Sequence, residues 1–93
     1  MCNIKKGDLV VAKKGRDFGK TFLVVDVEDK FLYLVNGKER KVSKHKKKNA
    51  KHVKKVSNAS LIELVKKINN GESVGNKTVY RNLKAQTQKI QED

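Results

Sequence analysis

The sequence contains no proline, no tryptophan and only one cysteine, Cys2. The absence of proline excludes slow prolyl isomerisation from its folding. A single cysteine cannot form an intrachain disulfide, which is typical of proteins in reducing compartments. No run approaches the roughly 20 apolar residues that span a bilayer, and the N-terminus lacks the apolar block of a secretory signal. These absences predict a cytoplasmic protein with no membrane partner.

Groups that could support catalysis or hold a metal are also scarce. No pair of carboxylates lies in a setting expected to shift its pKa values, and no nucleophile has an evident base. His45 and His52 have no third ligand at a suitable spacing. Segment 15–21 ends in Gly-Lys-Thr like a phosphate-binding loop, but three residues rather than four separate its glycines, and a strand follows. We therefore expect no enzymatic activity, no small-molecule substrate, no metal and no cofactor.

Positive charge is what the chain has in excess. Its 93 residues include 23 Lys and Arg against 10 Asp and Glu, which gives a formal net charge of +13. A chain of this length forms one small domain with at most an appendage, and it buries about 60 to 65% of its unfolded surface. The charge favours a nucleic acid or an acidic surface as the partner, although it says nothing about the fold.

A basic loop bracketed by glycines joins two predicted strands near the N-terminus. Runs 9–12 and 22–27 are short, rich in β-branched or aromatic residues and bounded by glycine, which favours strands. Phe18 at the loop tip is a candidate for stacking on an unpaired base or, equally, for a lid folded back onto the domain. The loop itself suits a polyanion or, equally, is an ordinary solvated hairpin. Its glycines permit sharp turns, which crowd four cations together: Lys13, Lys14, Arg16 and Lys20.

Segment 38–55 is the most basic part of the chain, with ten Lys or Arg against one acid. We expect its centre to be an open loop whose cations neutralise phosphates and release counterions, and whose histidines contact phosphate or stack on a base. The alternative is a solvated, disordered charge run. Together the two segments supply the predicted nucleic-acid-binding residues: Lys13, Lys14, Arg16, Phe18, Lys20, Arg40, Lys41, Lys44, His45, Lys46, Lys47, Lys48, Asn49, Lys51 and His52.

The remaining strand signals predict a small β-domain. Asn36-Gly37 between two strand-like runs predicts a two-residue hairpin. Segment 51–56 is expected to contain a fifth strand. Five short strands favour a closed or nearly closed β-barrel, with a small sandwich as the alternative from pattern alone. The hairpin would set the register on one face as Val35 opposite Lys38, Tyr33 opposite Arg40, and Phe31 opposite Val42.

The pattern becomes helical after residue 56. Ser60 and Glu63 have the spacing of a capping box, residues 69–71 form a helix stop, and a second helix is expected from Asn76. Their apolar stripes favour packing on the β-domain over recruitment of another partner. We divide the chain into a β-domain, residues 1–56, which we expect to fold alone, and a C-terminal helical hairpin, residues 57–93. The stripes are Leu61, Leu64, Val65 and Ile68, then Val79, Tyr80, Leu83 and Ile90.

Three separated pieces of the sequence resemble the KOW motif. They are segment 7–25 with its Gly-Arg-Asp and Gly-Lys steps, segment 35–41 and segment 48–53. The similarity extends over residues 4–56 to large-subunit ribosomal proteins of archaea and eukaryotes, and more closely to short bacterial KOW-domain RNA-binding proteins. Phe18 stands at a loop position that is often basic in the family. The resemblance implies an SH3-like barrel that binds RNA on the ribosome.

The sequence thus predicts a small non-enzymatic RNA-binding protein that acts as a monomer on structured RNA, with ribosomal RNA implied by the resemblance. Charge and loop chemistry alone indicate only a polyanion. Three alternatives stay open at this point: a protein-interaction barrel for an acidic protein, a nonspecific DNA-binding protein, and a regulator that touches the transcription or translation machinery transiently.

Overall fold

The computed structural model of the protein describes residues 4–38, 41, 44–56, 60–72 and 74–91, the last five for the backbone alone. Its secondary structure confirms a mainly β fold of five strands followed by two helices. In chain order the elements are β1 Leu9–Ala12, β2 Thr21–Glu28, β3 Phe31–Val35, β4 Lys46–Asn49, a 3-10 helix Ala50–His52, β5 Val53–Lys55, α1 Ile62–Asn69 and α2 Asn76–Gln91.

The five strands form one antiparallel sheet in the order β4-β3-β2-β1-β5. The sheet is open, because the described residues show no ladder between its two edge strands, so the closed form of the predicted barrel is wrong. It is nevertheless curled. Five flat strands would hold their edges about 19 Å apart, whereas only the 3-10 helix, which rises about 2 Å per residue, joins β4 to β5. The sheet must therefore curl until its two edge strands, β4 and β5, are close enough for this short connection to join them.

The hairpin predicted at Asn36-Gly37 is wrong. β3 pairs instead with β4, where Leu34 lies opposite Lys46. A type I′ turn needs positive φ at both central residues. Here only Gly37 has it, at 77°, and the Asn36 side chain accepts a hydrogen bond from the Lys38 amide at 3.0 Å. Of the predicted partners, Arg40 and Val42 lie outside the described residues.

The tight hairpin lies one turn earlier, between β2 and β3. Glu28 pairs with Phe31, so Asp29 and Lys30 form a two-residue loop. Asp29 has a φ of 57°, and Asp tolerates that left-handed conformation better than most residues because its short side chain can bond locally. Segment 44–51, predicted as an open loop, contains β4 and the 3-10 helix, because β3 uses this segment as its pairing partner.

Two hydrophobic clusters lie on opposite faces of the sheet, because side chains alternate along each strand. The inner core lies within the curl and consists of Val10, Ala12, Phe22, Val24, Leu32, Leu34, Ala50 and Val53. The helix-side core joins the other face to both helices and consists of Leu9, Leu23, Val25, Val35, Val65, Ile68, Val79 and Leu83. The helices therefore pack on the sheet, as expected.

The helix ends were predicted with mixed success. The stop after Asn69 and the start at Asn76 are confirmed. The capping box is wrong: α1 begins after Leu61 and has no side-chain cap. The Leu61 amide donates instead to the Gly7 carbonyl at 2.8 Å, which places Ser60 against Gly7. The chain before α1 is thus held by a contact with Gly7, just before β1, and not by a side-chain cap.

Candidate nucleic-acid interface

The loop between β1 and β2, residues 13–20, has a defined backbone and is called the basic loop below. Gly15 and Gly19 have φ values of 82° and 84°, which few other residues adopt without strain. The Phe18 amide donates to the Gly15 carbonyl at 3.2 Å, and the Gly19 amide donates to the Ala12 carbonyl at 2.9 Å. These turns hold the cationic side chains of the loop at one end of the sheet.

A buried ion pair fastens the basic loop to β4. Asp17 is 6% exposed, and its carboxylate contacts the Lys46 ammonium. The hydrogen bond from Lys46 lowers the pKa of Asp17 below its ordinary value; burial opposes this shift, and the positive charges of Lys46, Lys48 and Lys20 reinforce it. The carboxylate is therefore charged at neutral pH and neutralises Lys46.

Two further contacts bring the predicted basic segments together. The Lys48 ammonium donates to the Lys14 carbonyl at 3.1 Å, and the Lys13 amide donates to the His52 carbonyl at 2.8 Å. Strand β4 and the 3-10 helix thus lie against the basic loop. We call the resulting patch the cationic surface: Lys13, Lys14, Arg16, Lys20, Lys48, Lys51, His52 and Phe18.

The pKa of His52 reflects the positive potential of this surface. Its imidazole is half-buried, and desolvation together with the charges of Lys14, Lys51, Lys48 and Lys13 lowers its pKa below the ordinary value. A cation near other cations loses its proton more readily. His52 is therefore neutral at pH 7 and becomes a cation more easily when a nearby anion offsets the lysines.

Phe18 projects from the tip of the basic loop and is 71% exposed. The alternative of a lid folded onto the domain is thus wrong. An exposed ring among cations has its face open to a planar ligand. The surface therefore combines positive charge with one aromatic platform.

The other predicted site residues lie elsewhere or have structural roles. Lys47 points to the opposite face of β4, with its ammonium 4.5 Å from the centre of the Phe31 ring. The Asn49 side chain accepts from the Lys51 amide at 3.0 Å and so caps the 3-10 helix. Three other predicted site residues within the described ranges are exposed and lie outside the cationic surface: Lys41, Lys44 and His45. Arg40 lies outside the described residues.

Sequence reasoning assigned no role to Asp17. The signal that could have found it is an acid within a loop of four cations and between two glycines. Such a carboxylate has abundant partners nearby and is a candidate for an internal ion pair. Its partner, Lys46, could not be identified, because the pair depends on the position of β4.

Comparison of the chain with protein-family models and with curated proteins finds no match. No helix within the described ranges is both long enough and apolar enough to cross a membrane. The same residues contain no group of three His, Cys, Asp or Glu side chains arranged to hold a metal ion.

Proposed function

We propose that the protein is a non-enzymatic RNA-binding protein that docks its cationic surface on structured RNA. The observation that carries the proposal is the joining of the basic loop to β4 and the 3-10 helix, through the Asp17–Lys46 ion pair and the Lys48–Lys14 hydrogen bond. Cations from two distant segments thereby come together, among them Lys14, Lys20 and Lys48. The KOW resemblance favours ribosomal RNA as the ligand.

Charge explains why a polyanion suits this surface. Lys and Arg side chains held together repel one another, and a phosphate backbone offsets that repulsion and releases counterions. The one acid buried in the basic loop, Asp17, is already used by Lys46. The remaining cations of the surface are therefore available to phosphates.

The arrangement favours RNA over the alternative partners. The exposed Phe18 ring offers a stacking platform for an unpaired base, and unpaired bases occur in the loops and bulges of structured RNA. Duplex DNA and an acidic protein present no such base. A protein that used charge alone would bind all three polyanions similarly.

The test compares two double variants, one in each segment, with a control that has the same charge. K14Q/R16Q alters the basic loop, K48Q/K51Q alters β4 and the 3-10 helix, and K66Q/K67Q removes two exposed lysines of α1. Each of the first two should weaken binding to a structured RNA by about 1 to 3 kcal/mol, or about 5- to 150-fold. Fluorescence anisotropy would measure the affinity, beside matched duplex DNA and polyglutamate.

The control variant should change RNA affinity much less than the other two, and wild-type protein should prefer the RNA. Equal losses in all three variants would show that net charge, rather than this surface, drives binding. Sedimentation of a cell lysate through a sucrose gradient tests the ribosomal ligand separately, because a ribosome-bound protein moves with the subunits until salt is raised.

A further inference from the structure

A cleft of about 310 Å³ lies beside the cationic surface, between α2 and the sheet. This volume is at the lower end of the range for small-molecule sites, about 300 to 1,000 Å³, so it suits one planar group rather than a larger ligand. None of the residues that line it is acidic. They are Lys20, Thr21, Asn36, Lys38, Tyr80, Leu83 and Lys84.

Helix α2 supplies an aromatic wall to this cleft. Tyr80, Leu83 and Lys84 are three and four residues apart and so lie on one face of the helix. Leu83 is buried in the helix-side core, whereas Tyr80 remains 39% exposed beside it. A partly exposed ring beside an apolar side chain is an arrangement on which a nucleobase can stack.

Three lysines surround this wall. The Lys38 ammonium lies 6.0 Å from the centre of the Tyr80 ring, and Lys20 and Lys84 line the same cleft. Lys20 also belongs to the cationic surface and lies close enough to Asp17 to lower its pKa. The cleft is thus continuous with the surface at Lys20.

We propose that this cleft holds one unpaired nucleotide of the RNA bound at the cationic surface. The base stacks on Tyr80, and its phosphates lie among Lys20, Lys38 and Lys84. Thr21 and Asn36, which line the same cleft, lie beside the base. This inference rests on the proposed function and adds a second base site, distinct from the exposed ring of Phe18.

The experiment uses one RNA hairpin in three forms: blunt, with a three-nucleotide single-stranded extension, and with the same extension made abasic. The abasic form keeps the phosphates and removes the bases. Anisotropy titrations with the full chain should show that bases in the extension tighten binding by about 5- to 100-fold. This gain is the ratio of the affinities for the base-containing and abasic extensions.

Substitutions at Tyr80 and Phe18 test where the base binds. Tyr80→Leu should abolish the gain, Tyr80→Phe should keep it because the ring is retained, and Phe18→Leu should also keep it. K38Q/K84Q should weaken binding to the abasic extension as well, while leaving the blunt hairpin nearly unchanged. A thermal melt of each variant checks that the fold is intact.

The outcomes separate the two proposals. If the blunt hairpin binds and the extension adds nothing, the cleft inference fails and the proposed function stands. If Phe18→Leu abolishes the gain and Tyr80→Leu keeps it, the base lies at the loop tip and the cleft inference also fails. If none of the three RNAs binds, the proposed function fails together with this inference.

Discussion

Asp17 is a buried carboxylate with a structural role. Its ion pair with Lys46 joins the basic loop to an edge strand. A buried charge left without its partner is strongly destabilising. One residue therefore couples the stability of the loop to the shape of the cationic surface.

The pH dependence of stability should reveal this ion pair. Because folding lowers the pKa of Asp17, its contribution is fully present above the ordinary pKa of about 4 and is lost as pH falls through the lowered folded-state value. Asp17→Asn should cost about 1 to 3 kcal/mol in the free energy of unfolding at pH 7 and less at pH 3, which lies below the ordinary pKa. Urea unfolding at both pH values checks this.

The partner residue provides the matched control for that experiment. Lys46→Gln should destabilise the protein at pH 7, whereas Lys47→Gln, on the opposite face of β4, should change stability little. Equal effects of the two lysine substitutions would show that the ion pair contributes nothing specific.

His52 should take up a proton when RNA binds. In the free protein, desolvation and the neighbouring lysines keep its pKa below the ordinary value, and phosphates would offset those lysines and raise it. Affinity for RNA should therefore increase as pH falls from about 8 to about 5.5. NMR titration of the imidazole protons, with and without RNA, measures the change in the pKa of His52. His52→Gln should lose this part of the pH dependence and His45→Gln should keep it.

Gly19 tests the backbone of the basic loop apart from its charges. Its φ is 84°, and a Cβ there would meet no atom within 4 Å, so the cost of substitution comes from strain alone. Gly19→Val should lower the free energy of unfolding by about 1 to 2 kcal/mol and weaken RNA binding. Gly19→Asn should cost less, because Asn tolerates the left-handed region. Equal melting temperatures for both variants would contradict the strain argument.

At the scale of elements, the sheet is covered on both faces, and each face depends on a different part of the chain. The inner core is built entirely from strands and the 3-10 helix. The helix-side core draws half of its eight buried residues from α1 and α2. The helices therefore contribute to the stability of the sheet as well as to the cleft.

That residues 1–56 fold alone stays a prediction. The two cores indicate what removal of the helices would expose. Truncation after Val56 keeps the inner core and exposes one face of β1, β2 and β3, including Leu9, Leu23 and Val25. We expect the shortened chain to fold with a lower melting temperature and to bind a hydrophobic dye on that face. NMR should show dispersed amides from the inner core. A collapsed spectrum would mean that the helices are required for folding.

At the scale of the whole molecule, the charge of +13 is unevenly distributed. Both acids that are buried within the described part of the chain are paired, Asp17 with Lys46 and Asp8 with Lys55 at 3.6 Å. The cations of the basic loop, β4 and the 3-10 helix then dominate one end of the sheet. Long-range attraction of a polyanion is the expected consequence.

RNA affinity should therefore depend steeply on salt. If about five to eight phosphates are neutralised, the logarithm of the binding constant should fall with the logarithm of salt concentration with a slope of about −4 to −7. K48Q/K51Q should make the slope shallower by about 2, and K66Q/K67Q should leave it nearly unchanged. A slope near zero with affinity retained would contradict an electrostatic interface.

Local chemistry in the sequence was enough to predict much of this protein. Short runs rich in β-branched or aromatic residues predicted β1, β2 and β3, the glycines predicted the turns of the basic loop, and Asn69-Asn70-Gly71 predicted the end of α1. Each of these features depends on residues within a few positions of one another. The excess of Lys and Arg also favoured a polyanion as the partner without any knowledge of the fold, and that partner stays a prediction.

Tertiary structure alone decided where β4 lies and which cations meet. Asn36-Gly37 has the local signature of a hairpin, but its backbone supports a longer connection, with Gly37 close against the first turn of α2. β3 consequently pairs with a strand of three lysines and an asparagine, which local pattern does not favour. The Asp17–Lys46 pair and the Tyr80 cleft depend on that pairing and on the packing of α2, which join residues far apart in the chain. Such contacts are determined by the competition among long-range arrangements, to which local propensity contributes only weakly.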